Sequence, residues 1–183
     1  MAVTEPLIGK FVNLRCVEVS DAKFTLEIRN DPELTKYIPK VNGTATTQEA
    51  WIAKQRLSND DYFFIIENKY GEPIGTIGCY DINFKDSTCE TGRFISRGEV
   101  YENIEASLMM FDLVFDKLQI TYIVSNVDER NKKVVSLNRK FGAVYNNVVE
   151  MNGWNSLSGF INKKNYVSKR EKISKLLEQF TIK

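Results

Sequence analysis

Histidine is absent from all 183 residues of this chain. That absence removes Ser-His and Cys-His nucleophilic triads and every histidine metal site, so proton transfer falls to Asp, Glu, Tyr, Lys, Cys or water. Cysteine is scarce. Cys16, Cys79 and Cys89 are scattered, odd in number and not at metal-ligand spacing, which predicts reduced structural thiols and no metal. Neither sign of charge dominates: 25 Lys and Arg stand against 24 Asp and Glu, a formal net charge of +1, which gives no reason to expect nucleic acid as a partner. No apolar run approaches a membrane span, and the opening MAVTEPLIGK lacks the apolar centre of a secretory leader, so a cytoplasmic location without membrane association is expected. Neither a Walker phosphate loop nor a dinucleotide fingerprint occurs.

What is present is an ordinary globular composition, 43% apolar and 27% charged, in a length that suits one domain over 1–183. FVNLRCVEV alternates like a strand, after which Ser20-Asp21 should cap a helix reaching Ile28, and Asp31-Pro32 should start a further helical turn. A polar loop around Asn42-Gly43 precedes a helix opening at Thr46-Thr47. Strands YFFIIENK and PIGTIGCYDINF follow, joined by a turn at Tyr70-Gly71-Glu72, then a strand TCETGRFIS and a loop RGEVYEN. The helix IEASLMMFDLVFDKL is apolar enough to be largely buried. ITYIVSNV is a strand, and AVYNNVVEM with WNSLSGFIN forms a hairpin about Asn152-Gly153. The polar amphipathic helix VSKREKISKLLEQF comes last. This order is mixed α/β.

Between ITYIVSNV and the hairpin lies NKKVVSLNRKFGA, Asn131 to Ala143. Asn131 can start a helix, Val134, Val135, Leu137 and Phe141 recur at helical spacing, and Lys140 with Gly142 marks its end. The segment resembles the second cofactor motif of the GNAT superfamily of acyl-CoA-dependent N-acyltransferases. That motif has an Asn opening the helix, an apolar residue six on, a Tyr seven on and a Gly eleven on. Here those places hold Asn131, Leu137, Asn138 and Gly142, so the Tyr that usually protonates the departing thiolate is an Asn. LRCVEVSDAKFTLEIRNDPELTKYI resembles the entry segment of ribosomal-protein N-terminal acetyltransferases, and YFFIIENKYGEPIGTIGCYDI the central hairpin of the superfamily. GRFISRGEVYENIEASLMMFDLVFDKLQI resembles a variant of the first cofactor motif found where the acceptor is a nucleotide-linked amino sugar. That variant has Gly-Arg-aromatic-Ile before the loop and a Glu, here Glu105, in the first helical turn; Gln48 and Trp51 fit the same subgroup.

The resemblance implies a splayed, mostly antiparallel sheet of about seven strands flanked by helices, with acyl-CoA as co-substrate. It implies a pantetheine arm along the backbone of Phe94, Ile95 and Ser96, and a pyrophosphate where Arg97-Gly98 feeds a helix starting near Asn103, a helix N-terminus being a natural anion site. Glu99 and Glu102 behind Gly98 would repel that pyrophosphate unless they point away or pair with Arg97. Asn131 would meet the pantetheine amides, cap its helix, or both. Attack of an amine on a thioester needs a base for the amine, for which Glu90, Glu67 and Asp81 are candidates by their strand positions. Asn138 can hydrogen-bond the sulfur or a water but cannot supply a proton at neutral pH. Glu105 should cap or orient rather than abstract protons. Arg29, Tyr37, Trp51, Tyr80, Asp81 and Asn83 lie on segments that face the acceptor. The resemblance therefore implies an enzyme that acylates the amino group of a dTDP- or UDP-linked deoxyamino sugar for surface polysaccharide assembly. A protein N-terminal acetyltransferase, with an open groove lined by acidic groups, and a non-catalytic acyl-CoA-binding domain are the alternatives. A homodimer is plausible by resemblance, with the last helix as its surface.

Overall fold

The structure is a computed structural model describing residues 5–151 and 153–181. It builds one eight-stranded sheet from β1 (Leu7–Ile8), β2 (Val12–Cys16), β3 (Tyr62–Asn68), β4 (Pro73–Asn83), β5 (Thr88–Ser96), β6 (Tyr122–Asp128), β7 (Val144–Met151) and β8 (Trp154–Asn162), in the order β1-β2-β3-β4-β5-β6-β8-β7. The strand beyond the expected seven is β1, a two-residue piece paired with β2. All pairings are antiparallel except β5 with β6.

The central strand β3 reads YFFIIEN, a continuous apolar run, because helices cover both faces of the sheet there. Alternation sorts its side chains: Tyr62, Phe64 and Ile66 join a core with Phe11, Phe115 and Tyr166, whereas Phe63 and Ile65 pack with Val17, Ala22 and Ile52. The first face is covered by α3 (Val100–Asp112) and α5 (Lys163–Glu178), the second by α1 (Ala22–Asn30) and α2 (Ala45–Gln55). α5 turns Tyr166, Ile173 and Leu177 inward, so the apolar stripe that suggested a dimer surface is largely used inside the chain.

Several boundaries differ from expectation. α1 begins at Ala22 after a 3₁₀ turn at Val19–Asp21, since Asp21 Oδ2 accepts the Glu18 N–H (2.7 Å) and is clasped by Arg15 (2.7 and 2.8 Å). Asp31-Pro32 starts a turn and no helix: Asp31 Oδ1 takes the Glu33 N–H (3.0 Å), an Asx-type bond that competes with helix propagation. Thr44, two residues early, caps α2 through the Thr47 N–H (3.2 Å). α3 starts at Val100, so the loop before it is only 97–99, Asn103 lies inside the helix, and Glu105 falls in the second turn. α5 starts at Lys163 because Asn162 caps it (2.7 Å to Asn165 N). The β7–β8 hairpin closes on Met151 opposite Trp154 with Gly153 at φ 81°; Asn152 lies outside the described residues.

Glu105 shows how long-range polar contacts set this frame. Buried on α3, its carboxylate accepts the backbone N–H groups of Lys10 (2.8 Å), Phe11 (2.6 Å) and Val12 (2.8 Å), and so holds the β1–β2 turn on the helix. It orients, as expected, but another segment rather than its own helix end.

Candidate active site

The site begins where two strands part. β5 and β6 run parallel and are paired through Thr88–Tyr122, Cys89–Ile123 and Glu90–Val124, and the ladder stops there. Beyond it β5 continues with β4 and β6 with β8, so the sheet opens into a fork. A bulge on β5 helps: three steps from Gly92 to Ile95 face two on β4 from Gly78 to Thr76, with Arg93 at φ 51° taking up the extra residue. A cavity of about 740 Å³ fills the fork and is lined from both sides of the sheet. One side supplies Ser107 and Phe111 of α3 with Leu137 and Asn138 of α4 (Lys132–Lys140); the other supplies Arg29, Gln48, Trp51 and Tyr80.

On the α1–α2 side, Glu90 is the carboxylate at the apex. Its carboxyl is held above the usual glutamate range, first by burial and then by Asp81, against a weak pull from Asn126 (Nδ2 to Oε1, 3.5 Å). Arg93 forks onto Asp61 (2.5 and 2.8 Å), and its guanidinium sits 4.4 Å from the Tyr80 ring centroid, 5.2 Å from Trp51 and 5.5 Å from Phe63. Arg29 donates to the Pro39 carbonyl (2.8 Å), and among the described residues no carboxylate pairs with it. Burial pushes its pKa down, the mark of a cation short of counter-charge. Tyr37 lines the same side, near Arg130, which is itself held by Asp128 and lies 5.2 Å from Trp154.

On the opposite side, Ser125 is the first β6 residue past the last β5 pair. Alternation puts it on the face of the core residue Ile123, with Asn126 on the other face beside Glu90. Its Oγ lies 3.2 Å from Asn138 Nδ2 and 3.1 Å from the Tyr145 hydroxyl, and Asn138 Nδ2 also reaches Tyr145 (3.2 Å).

Other expected residues lie elsewhere. Glu67 does not line the cavity; Arg15 Nε holds it (2.6 Å) in the network with Asp21. Asn83 ties the turn after β4, accepting from Lys85 and Asp86 (3.0 Å each) and donating to Asp86 (2.7 Å). Asp81, at φ 51° in a second bulge, is exposed and acts on Glu90 only through charge. Phe94, Ile95, Asn131 and Asn138 line the cavity, whereas Ser96 at the end of β5, Arg97 and Gly98 in the loop after it and Asn103 in the first turn of α3 lie beyond it. In that loop Ser96 Oγ accepts the Gly98 N–H (2.9 Å) and Asn103 Nδ2 holds the Gly98 carbonyl (2.9 Å), while Glu102 caps the Glu99 N–H (2.7 Å). Arg97 pairs with Glu27 (2.7 Å) and with neither loop glutamate. Asn131 caps α4, its Oδ1 taking the Val134 N–H (3.3 Å). Arg93, Ser125, Asn126 and Tyr145 were not singled out from sequence. Arg93 stood inside the quoted Gly-Arg-aromatic-Ile run, but no sequence signal pointed to Ser125 or Tyr145.

The Acetyltransferase (GNAT) domain family matches residues 12–144. No curated protein sequence matches the chain. Among solved structures, apo FdhC, described as a nucleotide-linked sugar GNAT, shares 26% identity over 96% of this chain and 99% of its own, with a TM-score of 0.82. A GCN5-related N-acetyltransferase from Brucella melitensis has 15% identity, covers 98% of this chain and 89% of its own, and gives a TM-score of 0.81. Spermidine N-acetyltransferase from Vibrio cholerae, in complex with CoA and spermine, has 20% identity over 85% and 98% with a TM-score of 0.77; at these lower identities the likeness is one of fold. With a family match across most of its length and the forked sheet to go with it, this chain belongs to the GNAT acetyltransferases, enzymes that use acyl-CoA to acylate an amine.

Proposed function

We propose that the acceptor is a nucleotide-linked deoxyamino sugar, and the observation that carries this is Arg29. A half-buried guanidinium in the α1–α2 half of the cavity, without a carboxylate partner among the described residues, favours an anionic ligand such as a diphosphate and opposes a polycation. Tyr37, Trp51 and Tyr80 give flat surfaces for a sugar or base. Acidic lining, which a peptide N-terminus would want, is thin: Asp128 is taken by Arg130, leaving Glu90. FdhC, at 26% identity, is described as a nucleotide-linked sugar GNAT.

The residues present fit acyl-CoA along most of its length. Phe94 and Ile95 have no β6 partner beyond the fork, so their backbone groups are available to a pantetheine arm as to an added strand, between the apolar walls of Phe111 and Leu137. Asn131 stands beside that arm while capping α4. Gly98 makes room at the α3 N-terminus, where a Cβ would come within 2.8 Å of Ile74 Cδ1 and 2.9 Å of Glu102 Oε2. Glu102 must leave the Glu99 N–H for a phosphate to take it. When bound, acyl-CoA supplies an activated acyl thioester. Glu90 takes the ammonium proton of the acceptor at the apex, and the unpaired β5 N–H groups face the thioester oxygen. Arg93, stacked on Tyr80 and Trp51, fixes both rings on the acceptor side.

Thiol release from acetyl-CoA is measured with a dTDP- or UDP-linked amino sugar, with spermidine, and with a peptide bearing a free N-terminus. The nucleotide sugar should be turned over at least about tenfold better in kcat/KM. Preference for spermidine or peptide would overturn the assignment.

A further inference from the structure

The family's protonating Tyr is Asn138 here, yet a phenol stands one hydrogen bond away. We propose that Tyr145 is the proton reserve for the departing sulfur, acting through Ser125, with Asn138 as the positioning residue.

Three strands make the contact. Ser125 on β6 and Tyr145 on β7 both pair with Gly159 on the intervening β8. Strands two apart lie about 10 Å from one another, too far for most side chains to meet over an occupied position. Gly159 leaves the position empty, so the Tyr145 ring reaches across the strand to Ser125 Oγ at 3.1 Å. A Cβ at Gly159 would fall 1.9 Å from the Val144 carbonyl oxygen and 2.7 Å from the Tyr145 Cα, so the close approach of β7 depends on that glycine.

Either hydroxyl of the Ser125–Tyr145 pair can donate to the other, and the relay uses the state in which Tyr145 donates. Asn138 Nδ2 has two hydrogens and two partners, Ser125 Oγ and the Tyr145 oxygen. With Tyr145 donating to Ser125, the serine oxygen accepts twice, and its own hydrogen turns away from both partners, toward the cavity that Ser125 lines. Arg139 on α4 is the charged group in contact with Tyr145 among the described residues, 5.8 Å from the ring centroid. β8 presents only Gly159 opposite the tyrosine, and Glu90 lies on the other face of the sheet.

The transfer balances as follows. The amine nitrogen bonds to the acyl carbon, and the carbon–sulfur bond breaks with its electron pair on sulfur. Ser125 gives its hydroxyl proton to sulfur and takes the Tyr145 proton. The nitrogen sheds two protons, one from the ammonium before attack and one from the adduct after it; Glu90 passes both to solvent, which returns one to the tyrosinate and keeps the other. The inference rests on the acyltransferase chemistry and not on the choice of acceptor.

Its test uses binding as well as rate. The affinity of free CoA is measured by calorimetry from pH 7 to 9.5, with desulfo-CoA, which lacks the sulfur, as control. Donors aimed at sulfur favour the thiolate, so CoA should bind tighter as pH rises toward the pKa of its free thiol and level off above it, whereas desulfo-CoA should not. Tyr145→Phe and Ser125→Ala should each flatten the CoA curve, leave desulfo-CoA unchanged, and lower kcat at least about tenfold with loss of the basic limb. Asn138→Ala should lower kcat less and keep that limb. Asn138→Tyr placed in the Tyr145→Phe protein should restore part of the rate. Tyr145→Phe with wild-type CoA binding across pH and an intact basic limb would overturn the proposal.

Discussion

At the scale of single residues, charge placement on the α1–α2 side gives two measurable expectations. Glu90 must be ionised to accept a proton, and burial together with Asp81 raises its pKa. Activity should therefore fall as pH drops through a limb lying above the ordinary carboxylate value of about 4.3, and Glu90→Gln should remove that limb. Asp81→Asn should move the limb to lower pH, since it deletes the second cause while keeping a residue type that tolerates φ 51°. A pH–rate profile for the three proteins checks both. Arg29→Ala should raise the KM for a nucleotide sugar about 10- to 100-fold, the worth of roughly 1.5–3 kcal/mol for a hydrogen bond to a charged group, with a smaller effect on kcat. Which carboxylate serves was only partly legible from sequence. Glu90 and Glu67 look alike there, each a polar position on a strand, and what separates them is Arg15, 52 positions from Glu67, which holds it out of the cavity. Arg93 was hidden for another reason, and Asp81, though named from sequence, could not be assigned a face for the same one. Each sits at a bulge with positive φ, where the in–out alternation used to assign faces is locally broken.

At the scale of elements, fold stability should depend on Glu105. Glu105→Ala strands the buried backbone N–H groups of Phe11 and Val12 and the part-buried one of Lys10, a loss of about 3 kcal/mol at 1–3 kcal/mol per buried unsatisfied group. For a chain of this size that lowers Tm by about 6–12 °C in a thermal melt. Gly159→Ala should also destabilise, by about 1–3 kcal/mol through overpacking, and should depress kcat beyond that by moving Tyr145 off Ser125. The helix from Asn131 and the strand ending in Ile95 were readable because local spacing and capping chemistry define them. The start of α3 was not, since Val100 to Glu102 look like loop residues until Glu102 is seen closing back on the Glu99 N–H. Nor was the Ser125–Gly159–Tyr145 alignment. It depends on the register of two antiparallel pairings, and register is a property of the assembled sheet.

For the whole molecule, the fork joins the two faces of one sheet at a single point. Glu90 and Asn126 lie on one face there, and Ser125, Asn138 and Tyr145 on the other. The three thiols take no part: Cys79 and Cys89 are buried and Cys16 lies outside the cavity, so no cysteine is placed to carry an acyl group between substrates. Initial-rate lines at varied concentrations of both substrates should therefore intersect and not run parallel. On the proposed arrangement each substrate approaches from its own side, so the two would have separate doors. An acceptor crowding one side should not shut the other, and an unreactive acceptor analogue should inhibit without competing with acyl-CoA.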